Sequence, residues 1–239
     1  DLKAILAQMV AQLEETPWKC DDRGAWKTGL AAEVAKKKAE LKPALESDEV
    51  PMGYFRPLQE IQKVLPRDAI IVAEGASTMD ISRSVLENYQ PRNRLDAGSW
   101  GTMGGATGFA LASAVVHPGR RVISLMGDAS FGFSGMEVEV AARHRLPITW
   151  IVFTNGGIVS GVANLPNDGP PPVNVYQPGA RYEKIMEAFG GKGYYCETPD
   201  QLAKALRTAF DSGETALINV AIAPTAKKAP QTYSHWSSR

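Results

Sequence analysis

The chain has 239 residues, of which 44% are hydrophobic and 22% are charged, and its 26 basic and 26 acidic residues give a formal net charge of zero. A chain of this size fits one domain with an appendage, and the balanced charge argues against proteins that coat nucleic acid or bind membrane surfaces. The two cysteines have no Cys or His at metal-ligand spacing, which excludes zinc ribbons and disulfide frameworks, and no apolar run reaches the roughly 18 residues of a membrane span.

The first fifth of the chain has a helical pattern but little apolar surface. Apolar side chains recur at helical spacing over residues 1–15 and stop before Pro17, which predicts one amphipathic helix. Residues 16–50 are mostly polar and contain a Lys/Glu-rich helical stretch at about 29–46, so we interpret them as a connector. Because the chain starts at Asp1 rather than Met, we expect it to be one piece of a larger polypeptide.

From residue 52 onward, short apolar runs alternate with helical patterns. The runs predict strands at 69–73, 122–126, 148–153, 193–196 and 216–222, and the helical patterns lie at 56–65, 79–89, 104–116, 134–145, 181–189 and 200–211. Continuous β-branched runs are typical of strands that are buried on both faces. The alternation therefore predicts an α/β fold, a doubly wound parallel sheet with helices on both faces. Residues 160–180, rich in proline, predict a long irregular loop of the kind that is usually functional or mobile.

Polar residues follow two of the predicted strands. Asp128 ends one strand and Asn155 follows it by 27 residues, about the length of one strand–helix–strand unit. Ligands bind at the carboxyl ends of parallel strands, and a carboxylate, an amide oxygen and a carbonyl at Gly157 are hard oxygen ligands that suit Mg²⁺ or Ca²⁺. Each motif alone is also ordinary turn chemistry. Their joint spacing favours a Mg²⁺–diphosphate site, with the Ala129–Ser130 amides available to the phosphate.

The same residues carry a family resemblance. Gly127-Asp128, followed by Asn155 and Gly157, resembles the diphosphate motif of thiamine-diphosphate enzymes, in which Gly-Asp-Gly precedes Asn-Asn by some two dozen residues. The stretches EGASTMDISRSVLENYQPRNRLDAGSWGTMG and GDASFGFSGMEVEVAARHRLPI resemble 2-hydroxyacyl-CoA lyases and oxalyl-CoA decarboxylases. The resemblance runs from about Tyr54 to Ile222 and implies that residues 52–223 form the domain that binds thiamine diphosphate and Mg²⁺. It also implies that 1–18 end a central domain, 19–51 form a helical linker and 224–239 form a tail that acts as an active-site lid.

The resemblance assigns roles to individual residues. Asp128, Asn155 and the Gly157 carbonyl would hold Mg²⁺, Met103 would be the apolar wedge that bends the cofactor, and Arg83 and Ser84 would contact the CoA moiety. The cofactor contacts would come from Tyr54, Ala76, Ser77, Thr78, Gly101, Thr102, Met103, Ala129, Ser130 and Ser160. Candidates in the tail are Tyr233, Ser234, His235 and Trp236, of which His235 is the catalytic candidate.

The sequence departs from the family pattern at several positions. Thr154 stands where the family has the first Asn, and Ala129 replaces a motif glycine, a small change that should keep the backbone amide. Val159 replaces an aromatic residue, so we expect the acyl pocket to differ. The catalytic glutamate of the family lies in an N-terminal domain, and Glu74 is wrongly located to replace it. We therefore expect this chain to be active only together with that domain.

The resemblance implies a carbon–carbon lyase that cleaves a 2-hydroxyacyl-CoA to formyl-CoA and an aldehyde or ketone, or runs the reverse condensation. Oxalyl-CoA decarboxylase and a non-catalytic cofactor-binding subunit are the alternatives. A plain dinucleotide-binding module is disfavoured because no Gly-x-Gly-x-x-Gly follows an early strand. We expect an acyl-CoA substrate, a homodimer or homotetramer, a cytoplasmic location, and no nucleic-acid or membrane partner.

Overall fold

A computed structural model describes residues 1–19, 23–158, 161–166 and 168–226. The chain divides into two compact units, Asp1–Lys42 and Pro43–Arg239. The first unit contains helix α1 (Leu2–Glu15) and most of α2 (Arg23–Leu45). The Asp1 carboxylate caps α1 by accepting a hydrogen bond of 2.8 Å from the Lys3 amide. The apolar side chains of α1 are all exposed in this chain.

The second unit alternates strands and helices as the sequence predicts. Its strands are β1 (Ile70–Ala73), β2 (Arg94–Asp96), β3 (Val122–Gly127), β4 (Ile148–Thr154), β5 (Lys192–Cys196) and β6 (Ala216–Ala221). Its helices are α3 (Phe55–Val64), α4 (Ala76–Val85), α5 (Ala106–Val116), α6 (Asp128–Ser134), α7 (Val138–Arg143), α8 (Glu183–Ala188) and α9 (Pro199–Ser212). In this part of the chain, no described helix is both long and apolar enough to cross a bilayer.

The six strands form one parallel sheet in the order β2-β1-β3-β4-β6-β5. Helices α3, α4 and α9 contact one another or the strands on one face, and α5, α6, α7 and α8 cover the other. The predicted doubly wound α/β fold is thereby confirmed. Strand β2 was not predicted because its three residues, Arg94–Asp96, offer one apolar side chain at a sheet edge and no continuous apolar run.

The sheet interior explains why the apolar runs form strands. Residues of β1, β3 and β4 are buried on both faces, and the largest of them, Trp150, is fully enclosed. Burial of such side chains stabilises the fold by about 1.5–3 kcal/mol each. The predicted arrangement, a parallel sheet with helices on both faces, therefore follows from strands whose two faces are both apolar.

One predicted helix is wrong in its bounds. Residues 134–145 were expected to form a single helix, but α6 already begins at Asp128 and a 3₁₀ turn, Gly135–Glu137, separates it from α7. A Cβ at Gly135 would lie 2.7 Å from the Phe131 ring, so this ring packs directly against the glycine backbone where α6 ends. Helix α4 likewise starts at Ala76, three residues before the predicted start at 79.

Candidate functional site

A cavity of about 250 Å³ lies at the carboxyl edge of the sheet, where β1, β3 and β4 end. It brings together segments that are distant in sequence: the start of α3, the start of α4, the loop before α5, the start of α6 and the loop after β4. The lining residues are Tyr54, Gly75, Ala76, Ser77, Thr78, Gly101, Met103, Gly127, Asp128, Ala129, Ser130, Phe153, Asn155, Gly157 and Ile158. These helix starts, loops and strand ends thus form a concave site at the edge of the sheet where parallel sheets bind ligands.

Asp128 is the charged group of this cavity and is 2% exposed. Its Oδ1 accepts a hydrogen bond of 2.8 Å from the Ala129 amide, and its Oδ2 accepts bonds of 2.8 Å and 3.0 Å from the Gly156 and Gly157 amides. Burial raises the pKa of the carboxyl group, and the backbone amides, including that of Asn155, oppose this shift. Asp128 therefore ties the end of β3 to the turn after β4.

The turn after β4 is held from a second side by a returning segment. Gly157 pairs with Val175 in an isolated antiparallel bridge, the Ile158 amide donates to the Asn174 carbonyl at 2.9 Å, and the Tyr176 amide donates to the Gly156 carbonyl at 2.9 Å. Gly157 has φ +143°, and a Cβ there would collide with the Asn174 carbonyl oxygen. Only glycine fits this backbone, which brings Asn155 and Gly157 beside Asp128.

The wall opposite Asp128 comes from α4 and from Tyr54. Gly75 has φ +85° between β1 and α4, and a Cβ there would lie 3.1 Å from the Ser130 hydroxyl, so α4 and α6 begin close together. The pKa of Tyr54 is raised overall, because burial and the charge of Asp128 raise it by more than a hydrogen bond with Ser77 lowers it. The starts of α3, α4 and α6 consequently line the same cavity.

Glu74, the residue directly after β1, reaches across to the loop before α5. It is 2% exposed, and its two carboxylate oxygens accept hydrogen bonds from the backbone amides of Gly104 and Ala106. Met103, which lines the cavity, directly precedes Gly104. The sequence offered no periodic signal for this contact, because the partners lie 30 and 32 residues away.

The structure brings most of the predicted cofactor and metal residues into one cavity. Thr102 is the described exception, since its neighbours Gly101 and Met103 line the cavity and it does not. Several predicted residues lie outside the described part of the chain: Ser160, Val159, Tyr233, Ser234, His235 and Trp236.

The two predicted CoA contacts do not line the cavity. Arg83 on α4 donates to both oxygens of Asp96, at 3.1 Å and 2.7 Å, and pairs with Asp80 at 3.3 Å. The Ser84 hydroxyl donates to the Ile81 carbonyl at 2.6 Å within its own helix. Burial tends to raise the pKa of Asp96, but the hydrogen bonds and charges of Arg83, the Gly98 amide and Arg94 lower it overall.

A buried polar network behind the cavity was not foreseen. Thr154 donates to the Asn219 side-chain oxygen at 2.5 Å, and the Asn219 amide donates to Glu183 at 2.9 Å. Next to it, burial raises the pKa of Tyr182 to about 12, with the charge of Asp128 adding to the shift. Thr154, which departs from the family pattern, thus joins β4 to β6 immediately before Asn155.

Comparison with known proteins gives matches of the same kind in sequence and in structure. Residues 73–220 match the family model described as "Thiamine pyrophosphate enzyme, C-terminal TPP binding domain". The chain is 40% identical over its whole length to "2-hydroxyacyl-CoA lyase 1" of Homo sapiens, of which it covers 44%. It is 37% identical, over 95% of its length, to "Oxalyl-CoA decarboxylase" of Escherichia coli (strain K12), of which it covers 40%. The chain therefore spans less than half the length of these relatives.

A solved structure agrees on the fold. A thiamine diphosphate-dependent 4-hydroxybenzoylformate decarboxylase of Rhodococcus jostii RHA1 matches 74% of this chain with a TM-score of 0.64 and 24% identity, and the match covers 34% of that enzyme.

Proposed function

Because the chain belongs to the family of C-terminal TPP binding domains of thiamine pyrophosphate enzymes, we propose that it is the cofactor-binding part of a lyase that cleaves a carbon–carbon bond of a 2-hydroxyacyl-CoA. The products are formyl-CoA and an aldehyde or ketone, and the reverse condensation uses the same groups. One observation carries the proposal: the residues whose motif resembles the diphosphate site line a single cavity at the carboxyl edge of the sheet. The match over the whole chain to the human lyase supports the substrate class.

The donor set of this cavity fits a divalent cation and a diphosphate. Asp128 is a buried carboxylate that pairs with no basic side chain among the described residues, so a cation would compensate a charge that burial otherwise disfavours. Asn155 and the Gly157 backbone adjoin it, and the three are hard oxygen ligands of the kind that Mg²⁺ accepts while phosphate oxygens complete its shell. We therefore assign Mg²⁺ to Asp128, Asn155 and Gly157.

The remaining residues orient the cofactor. Ala76, Ser77 and Thr78 lie at the start of α4, a helix of 10 residues whose free amides and dipole favour phosphate. Tyr54, Ala129 and Ser130 would complete the cofactor contacts. When bound, thiamine diphosphate supplies a nucleophilic carbon and an electron sink for bond cleavage. The chain's own contribution is to bind the diphosphate and hold the rings with Gly101, Thr102 and the Met103 side chain.

The proposal includes a partner that supplies the catalytic glutamate. The chain covers 44% of the length of the human relative, which leaves room for an N-terminal pyrimidine-binding domain carrying that residue. Catalysis then requires both parts, and we extend the proposal to a homodimer or homotetramer in the cytoplasm, with the residues 224–239 as a lid over acyl-CoA. Arg83 and Ser84 remain the proposed CoA contacts, and His235 the tail candidate.

Oxalyl-CoA decarboxylation is the second candidate, favoured by the 37% identity to the Escherichia coli enzyme over 95% of this chain. Both reactions release formyl-CoA and differ in the other product. A non-catalytic cofactor-binding subunit is the third reading of the same cavity.

The test uses the chain together with its upstream polypeptide, thiamine diphosphate and Mg²⁺. A 2-hydroxyacyl-CoA and oxalyl-CoA are offered separately, and the second product is measured beside formyl-CoA. Aldehyde or ketone from the first substrate is the expected result. Carbon dioxide from oxalyl-CoA alone would replace the lyase with the decarboxylase, and no product from either, with cofactor bound, would leave the non-catalytic subunit.

A further inference from the structure

The loop before α5 is fixed by a single buried carboxylate. Glu74 is 2% exposed and directs both oxygens at backbone amides of this loop, those of Gly104 and Ala106. No basic side chain pairs with Glu74 in the part of the chain that the structure describes, so its described partners are two backbone donors. A buried carboxylate whose described partners are backbone amides of one loop stabilises the conformation of that loop.

The two anchored amides lie directly after the loop residue that lines the cavity. Gly104 follows Met103 directly, and Ala106 is the first residue of α5, a helix of 11 residues whose N-terminal dipole favours a negative charge. Glu74 is also the residue before Gly75, where the α4 wall of the cavity begins. One side chain thus connects the diphosphate side of the cavity to the loop that carries Met103.

A second contact, between Gly104 and Phe133, packs against the same loop. Gly104 has φ +96°, and a Cβ there would lie 3.2 Å from the Cβ of Phe133 on α6. The loop is therefore held between α6, which provides the apolar contact, and the residue that follows β1, Glu74, which provides the polar one. A glutamine could not replace it, because both partners are donors and the amide group would turn its own NH₂ against one of them.

We infer that Glu74 is a positioning residue, which rests on the proposed function: it holds Met103 at a fixed distance from the Asp128 site and so sets the shape in which the cofactor is bound. Glu74 itself does not line the cavity, so it would act through the loop that carries Met103. Loss of the carboxylate then affects the geometry of the bound cofactor, and with it the rate of bond cleavage, more than the affinity for the diphosphate.

Two variants of the intact protein test this, with a third as control. Glu74→Gln removes one acceptor at nearly constant shape, and Glu74→Asp keeps both acceptors on a shorter stem. Glu60→Gln is the matched control, because Glu60 is also a buried glutamate (6% exposed) but pairs with Lys63 and Arg56 and does not line the cavity. The first measurement is hydrogen–deuterium exchange of residues 101–106 in the cofactor-free protein.

Exchange at Gly104 and Ala106 should rise about tenfold or more in Glu74→Gln, with protection in β3 unchanged, because the variant leaves a buried backbone amide without its acceptor. Glu74→Asp should restore part of the protection, and Glu60→Gln should leave it unchanged. In the loaded enzyme, kcat should fall about tenfold or more in Glu74→Gln while the Kd for thiamine diphosphate changes less than about threefold.

Unchanged exchange at residues 104 and 106 would overturn the inference, and so would loosening of this loop with kcat unaltered. A parallel loss of stability, kcat and affinity in Glu74→Gln and Glu60→Gln would reduce Glu74 to an ordinary structural residue. Absence of lyase turnover in the wild type would refute the proposed function instead. In that case the exchange data and the circular dichroism of the bound cofactor, expected to change in Glu74→Gln and not in Glu60→Gln, still decide the role of Glu74.

Discussion

Replacing Gly157 by alanine tests the turn on which the proposed metal site depends. The backbone at Gly157 has φ +143°, a conformation that side-chain-bearing residues rarely adopt, and the new Cβ would meet the Asn174 carbonyl oxygen and lie 3.1 Å from the Val175 Cα. Those atoms belong to the segment that pairs with Gly157 in the antiparallel bridge. The turn must therefore either separate from residues 174–176 or store the strain.

The expected destabilisation has two parts. The backbone conformation costs about 1–3 kcal/mol for a residue other than glycine, and forced overlap with well-packed neighbours typically costs about 1–3 kcal/mol more. Gly119→Ala is the matched control, because Gly119 also has a positive φ (+84°) but would meet no atom within 4 Å. This control should lose only the backbone part, about 1–2 kcal/mol.

Urea unfolding of both variants measures the free-energy difference, and calorimetry measures binding of thiamine diphosphate with Mg²⁺. Gly157→Ala should be destabilised more than Gly119→Ala and should lose cofactor affinity, because separation of the turn also breaks the bond from the Gly157 amide to Asp128 (3.0 Å). Equal stability of the two variants, or wild-type cofactor affinity in Gly157→Ala, would refute the reasoning about the turn.

Three further changes probe separate parts of the structure. Asp128→Ala should abolish Mg²⁺-dependent binding of thiamine diphosphate, measured by calorimetry, since it removes the charged ligand; unchanged affinity would exclude the site. Arg83→Ala should raise the KM for acyl-CoA far more than the Kd for cofactor, and an unchanged KM would remove Arg83 from the CoA site. Burial, with the charge of Glu183 adding, raises the pKa of the Cys196 thiol from 9.0 to about 12. The folded state then keeps a proton that the unfolded state loses, so the free energy of unfolding should fall by about 1.4 kcal/mol per pH unit between pH 9.0 and about 12, and Cys196→Ala should reduce that slope in urea titrations.

The sheet was predictable from sequence because its strands are buried on both faces. Apolar runs such as Ile148–Phe153 admit few other solutions in a chain of this composition, and their ends locate the polar residues at one edge. Asp128 and Asn155 follow from the same logic, since β3 and β4 are neighbours in the sheet. Edge strand β2 escaped prediction because an edge needs no continuous apolar run.

The contacts that shape the cavity were harder to predict, because they join residues with no shared periodicity. Glu74 accepts from amides 30 and 32 residues away, and Thr154 donates to Asn219 across 65 residues. Each is a polar pair that forms only after the sheet has brought its segments together. A residue type alone, such as a glutamate after a strand, does not distinguish an anchor of this kind from a surface charge.

The segment 174–176 shows the same limit within the predicted loop, and it also shows why the Gly157 variant is informative. Proline content predicted an irregular connection over 160–180, yet residues 174–176 return to the turn after β4, where Asn174 and Tyr176 hydrogen-bond to it and Val175 is the bridge partner of Gly157. The sequence signal was Gly156-Gly157 itself: both have a positive φ, and the space of a side chain is filled by the backbone of Asn174 and Val175 at Gly157 and by the Val162 side chain at Gly156. If the return segment positions the Gly157 carbonyl, a methyl group at that residue must disturb metal and diphosphate binding together. If the segment only covers the turn, the same methyl group lowers stability and leaves cofactor affinity unchanged.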